Sequence, residues 1–130
     1  MNHSMKDIET DSDIENIVRS FYGIVPQDPV IGAFFTEVVT IGLDTHIPKI
    51  VSFWCSILLG DHQYKENVML KHIQLSDKKP MLKEHFDRWL TTWNNVIDES
   101  FEGPKAQLAK SKAQQIALLM QHKINRTSLI

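Results

Sequence analysis

The stretch Met81-Leu82-Lys83-Glu84-His85-Phe86-Asp87-Arg88-Trp89-Leu90-Thr91-Thr92-Trp93-Asn94-Asn95-Val96-Ile97 decides the fold class. Met81, Leu82, His85, Phe86, Trp89, Leu90, Trp93, Val96 and Ile97 recur at helical spacing and form one broad apolar stripe. Pro80 opens the helix, where a missing backbone N–H costs little, and Gly103-Pro104 breaks it. A helix this one-sided has to pack against other helices.

Working toward the C-terminus, a last helix is predicted from about Pro104 to Ile124, with Leu108, Ala109, Ala113, Ile116, Ala117 and Met120 inward. Upstream, between Asp61 and Lys79, the pattern is thin: Val68, Met69, His72 and Leu75 share helical spacing over one or two turns. Before it, Ile47, Ile50, Val51, Phe53, Trp54, Ile57 and Leu58 predict a helix capped by Asp44 or Thr45, with Pro48 in its first turn and Gly60 at its end. Asp28-Pro29 reads as an N-cap followed by Pro at the first position of a short segment carrying Val30, Ile31, Phe34, Phe35 and Val38. Ser12-Asp13-Ile14-Glu15 has the form of a capping box, after which Ile14, Ile17, Val18, Phe21 and Val25 line one helix face. Strand-like alternation and internal repeats are missing. The expectation is one all-α domain over residues 12–124, between a flexible tail at 1–11 and a short C-terminal tail at 125–130.

Charge and composition remove several functions. The 130 residues carry 14 Lys+Arg against 16 Asp+Glu, a net charge of −2 that offers no basic footprint for nucleic acid. The single cysteine, Cys55, excludes an internal disulfide and any cysteine-rich metal or iron–sulfur site. The longest apolar run, Ile50 to Leu59, is broken by Ser52 and Ser56 and falls well short of the roughly 18 residues that span a bilayer. The polar N-terminus lacks the apolar region of a secretory signal. A soluble, cytoplasmic protein without a membrane partner is expected. No nucleophile elbow, dinucleotide fingerprint, phosphate loop or H-E-x-x-H helix is present, which takes most support from hydrolase and nucleotide functions.

Six histidines and two aromatic donors remain. His3, His62 and His122 lie near the ends or in a polar stretch and read as solvated side chains. His46 shares a helix face with Lys49, Ile50 and Phe53, which fits either a helix-terminal histidine or a group facing a ligand. His85, on the apolar stripe, reads as packed or partly exposed. His72 sits on a segment that buries too little to need a core histidine, and metal coordination through a neutral imidazole would account for it. Tyr22 and Trp89 are core residues by default, yet each carries one donor that needs a partner once buried.

Taken in order, Phe21-Tyr22, Phe35, His46 with Lys49, Phe53-Trp54, Tyr64, His72 and His85-Phe86-Asp87-Arg88-Trp89-Leu90 resemble the group III truncated haemoglobins, from about Asp13 to Met120. The chain also lacks the Gly-Gly pair that marks groups I and II. The resemblance implies a two-over-two helical sandwich around one haem b. It implies His72 as the proximal iron ligand, with Val68, Met69 and Leu75 beside it. It maps the family's distal trio onto Tyr22, His46 and Trp89, puts Ile50 one turn beyond His46, and makes Phe35 and Phe53 haem-packing residues. Lys49, from helix geometry as well as the resemblance, is placed to reach a haem propionate.

The function implied is binding of O2, NO, CO or a similar diatomic by a monomer with a polar distal pocket and high oxygen affinity. The alternative is a haem enzyme for nitric oxide dioxygenation or peroxidase-like chemistry, supplied with electrons by a reductase. A helical interaction module without cofactor is the third reading, and visible absorption separates it from the other two.

Overall fold

The computed structural model describes residues 5–35, 43–60 and 82–128. They form α1 (Asp11–Ile24), single 3-10 turns at Val25–Gln27 and Gly32–Phe35, α2 (Leu43–Leu58), α3 (Lys83–Ser100) and α4 (Pro104–Ser128), with no strand among the described residues. α1 packs on α2 and α3 on α4, and the two pairs meet through α1 against α3 and α2 against α4. That is a two-over-two arrangement of helices, all-α as expected.

The stripe read from α3 is where the core sits: Phe86, Trp93, Val96 and Ile97 are buried, and Trp89 and Leu90 pack against them. α4 answers with a row of small residues, Ala106, Ala109, Ala113 and Ala117, each no more than 1% exposed. Small side chains let the indoles of α3 approach the α4 backbone, and Trp93 donates its indole N–H to the Ala109 carbonyl at 3.3 Å. Enlarging any of these alanines would overpack the interface, at a cost of about 1–3 kcal/mol.

Several boundaries differ from the sequence reading. The capping box of α1 is Thr10 with Asp13, two residues before the expected Ser12 and Glu15: Thr10 Oγ1 accepts from Asp13 N–H at 3.2 Å, and Asp13 Oδ2 from Thr10 N–H at 3.1 Å. Asp13 prevails because it also accepts from Glu9 N–H at 2.9 Å and pairs with Lys6 Nζ at 3.1 Å. The segment expected as a flexible tail is therefore docked from Lys6 onward, with the Lys6 carbonyl accepting from Glu102 N–H at 3.0 Å and Ile8 only 1% exposed. Asp7 holds it down by accepting from the free N–H groups of Lys105 and Ala106, both at 2.9 Å, at the start of α4. Gly103 permits this approach, since its φ is +143° and a Cβ there would meet Asp7 Cγ at 2.6 Å.

α2 begins at Leu43, so Asp44 and Thr45 lie inside it and Pro48 falls in its second turn. Asp28 caps as expected, but the chain after it makes a turn into 3-10 helix at Gly32–Phe35. α3 starts at Lys83, with Leu82 55% exposed. His85, expected packed or partly exposed, has a side chain 17% exposed, and its Nδ1 accepts from Leu82 N–H at 2.8 Å, capping the helix. Leu108, expected inward, is exposed, and Ala106 fills the inner face instead. α4 continues to Ser128, through most of the expected C-terminal tail. Pro80, Met81 and the short turn expected around His72 lie outside the described residues.

Candidate functional site: an aromatic pocket with one donor to spare

Four helices converge on one pocket. The last turn of α1 supplies Phe21 and Tyr22, α2 supplies Ile50, Phe53 and Trp54, α3 supplies Trp89 and Trp93, and α4 supplies Ile116 and Met120, around a cavity of about 30 Å³. The wall surface is mostly apolar, which offers a water few of the two to four polar partners it needs. The cavity suits a small apolar or weakly polar molecule.

Aromatic geometry holds these walls. Phe21 stands edge-on to Trp89 at 6.2 Å and to Trp93 at 5.4 Å between ring centres, and Trp54 stacks on Trp93 at 4.7 Å. Such pairs contribute about 0.5–1.5 kcal/mol each beyond the area they bury, so the pocket is preformed by its own lining.

Tyr22 and His46 come together across 24 residues of sequence, with Tyr22 Oη 2.9 Å from His46 Nε2 and the rings edge-to-face at 5.2 Å. Which of the two donates depends on the tautomer of His46. Burial pushes the Tyr22 phenol well above its usual range, so the hydroxyl keeps its proton at any physiological pH. Trp89 differs: among the described residues, none accepts from its indole N–H. Trp89 is half-buried and lines the pocket.

Of the residues singled out in the sequence, the structure brings Tyr22, His46, Ile50, Phe53 and Trp89 into one neighbourhood. Lys49 is half-buried on α2. His72, Val68, Met69 and Leu75 lie outside the described residues, and so does the Phe35 side chain. Sequence reasoning missed Phe21, Trp54, Trp93, Ile116 and Met120 as pocket lining, because helical spacing marks a residue as inward without telling core from cavity wall. Among the described residues no cluster of three or more His, Cys, Asp or Glu could hold a metal ion. The walls are mostly carbon with the Tyr22–His46 phenol–imidazole pair beside them, an arrangement that suits a small ligand.

Comparison with known proteins agrees with the fold. No protein-family model matches the chain. It is 26% identical over 107 residues to the group 3 truncated hemoglobin ctb of Campylobacter jejuni, covering 80% of this chain and 82% of that protein. The crystal structure of a group III truncated hemoglobin from Campylobacter jejuni superposes with a TM-score of 0.81, at 23% identity, over 93% of this chain and 95% of the other.

Proposed function

We propose that this chain, which has the truncated-globin fold and resembles the group III truncated haemoglobins, holds one haem b and binds a diatomic ligand beside Tyr22, His46 and Trp89. The observation that carries the reading is the Trp89 indole N–H, which has no acceptor among the described residues and stands at the edge of an aromatic pocket. His72 is the residue proposed to hold the iron through an imidazole nitrogen, with Phe35, Lys49, Phe53, Val68, Met69 and Leu75 around the porphyrin. Haem, when bound, supplies the iron that takes the ligand and shifts electron density onto its outer atom.

The chain's own residues do the rest. Trp89 donates to a partly charged acceptor, an interaction worth on the order of 1.5–3 kcal/mol, or about 10- to 150-fold in affinity, expressed mainly as slower release. Tyr22 adds a second donor whenever His46 supplies the proton between them. Ile50 and the aromatic walls exclude water, which strengthens each of these contacts. High oxygen affinity is the consequence, which suits sensing or scavenging better than transport. No helix among the described residues is long and apolar enough to cross a membrane, and a cytoplasmic monomer is the state proposed.

One observation favours a second reading. A phenol and an imidazole 2.9 Å apart in a largely buried site can pass a proton, as peroxidase-like chemistry requires, while nitric oxide dioxygenation, the companion alternative, would need only electrons from a reductase. Visible spectra test the first reading: a Soret band that shifts with carbon monoxide is expected, and a colourless purified protein that takes up no added haem would overturn it. Stopped-flow turnover with a reductase tests the second, since binding without consumption removes the enzyme.

A further inference from the structure

The two pocket donors stand on different helices, and the angle between them depends on how α3 is rolled about its axis. Asp28, in the corner after α1, has a side chain only 4% exposed. Its Oδ1 accepts from Val30 N–H at 2.7 Å and Ile31 N–H at 3.2 Å, which stiffens the corner. Gly32 closes it by donating to the Asp28 carbonyl at 2.8 Å, and a Cβ there would meet the Pro26 carbonyl oxygen at 2.6 Å. The other carboxylate oxygen, Oδ2, crosses 60 residues of sequence to accept from Arg88 Nε at 2.7 Å. Burial acts to raise the Asp28 carboxyl, but the Arg88 guanidinium and the two backbone N–H groups prevail and hold it below the usual carboxylate range.

Arg88 and Trp89 are successive residues of α3 and so point about 100° apart around the axis. On the inner face Phe21 sits edge-on against Trp89 and Trp93. α4 also holds α3, through Trp93 and the buried stripe, and the contact from the corner after α1 adds a polar anchor about a quarter-turn from Trp89. Asp28 is that anchor, and a short charge-assisted bond to a guanidinium is the most directional kind available. A roll of about 10° moves a side-chain tip 5–6 Å from the axis by about 1 Å. Binding constellations tolerate only about 0.5 Å.

We infer that the Asp28–Arg88 pair is a positioning device: by tying the corner after α1 to α3 one residue before Trp89, it aims the indole N–H at the ligand and sets how well the pocket retains a hydrogen-bond-accepting ligand such as O2 over CO, which draws little on a donor. The inference deepens the haem-based reading and rests on it for its kinetic test.

The experiment measures O2 and CO dissociation from the holoprotein, together with the 1H–15N indole resonance of Trp89 with and without haem, in the wild type, Arg88→Met, Arg88→Lys, Trp89→Phe and the Arg88→Met/Trp89→Phe double variant. Arg88→Met is expected to speed O2 release about tenfold while CO release, which depends little on a donor, changes less than twofold. Arg88→Lys should fall between, because an ammonium keeps the charge and loses the fork. The double variant should release O2 no faster than Trp89→Phe alone, since the pair acts through the indole. Equal changes for both gases, an additive double variant, or an unmoved Trp89 resonance would overturn the proposal. A wild type without a Soret band would sink the haem reading instead, and the indole resonance of the haem-free protein would still decide whether Arg88 positions Trp89.

Discussion

The two ends of α1 are built from opposite materials. At its start, charged groups do the fastening: Asp13 gathers Glu9 N–H, Thr10 N–H and Lys6, while Asp7 pins the preceding strap to the start of α4. At its end, Phe21 and Tyr22 meet α2 and α3 through rings, and a polar link joins them at the Tyr22–His46 contact of 2.9 Å. Carboxylates satisfy the backbone N–H groups that helix starts leave over, so the first end sets stability. Rings leave a shaped apolar space with few donors, so the second end shapes the candidate site. Changes at one end should leave the other's observable alone.

The largest effect is expected on the proposed haem binding itself. His72→Ala should abolish or greatly weaken haem retention, read as loss of the Soret band with helical circular dichroism kept, while His85→Ala retains haem because that ring caps α3. The reverse result would mean the proximal assignment is wrong. Next come the donors: Trp89→Phe and Tyr22→Phe should each speed O2 dissociation within the range of about 10- to 150-fold, with Trp89 the larger, since Tyr22 shares its hydroxyl with His46. Unchanged rates in both variants would remove the donor argument, and a large loss of stability in either would blur the division between the two ends.

At the fastening end the observable is unfolding. Asp13→Ala should cost about 1–3 kcal/mol in denaturant melts and leave ligand release unchanged, and Asp7→Ala about 1–2 kcal/mol. Burial acts to raise both carboxyls, yet the backbone N–H groups of Glu9 and Thr10 with Lys6, and those of Lys105, Ala106 and Ile8, hold them below the ordinary value of 3.8. A depressed folded-state pKa gives stability that is present above 3.8 and lost as pH falls through the lower folded value, so acid unfolding should be steeper in the wild type than in the double alanine variant. Identical acid profiles would show that these carboxylates do not fasten the strap. The smallest effect belongs to Arg19→Ala, whose 2.8 Å pair with Glu15 is half exposed on both sides: less than about 0.5 kcal/mol is expected.

Legibility in the sequence divides along the same line. The aromatic stripe of α3, the inward alanines of α4 and the grouping of Tyr22 with His46 and Trp89 are all legible, because apolar periodicity repeats along one helix and the ordered set of residues resembles a known family. The S-x-x-E pattern puts the cap of α1 two residues late, and the polarity of residues 1–11 reads as a loose tail where the structure has a docked strap. Both errors have one cause. A polar N-terminal segment looks solvated until the helix end it serves is known, and that end lies 98 residues on, at Lys105.

What the sequence by itself determined is which faces are apolar, since a 3.6-residue period is a local property that no distant contact can change. Where the carboxylates of Asp7 and Asp28 go was decided only by the tertiary structure. Each finds its partners, at the start of α4 and at Arg88, across a span that leaves no periodic mark, because a single charged side chain meeting a single distant donor repeats nowhere along the chain.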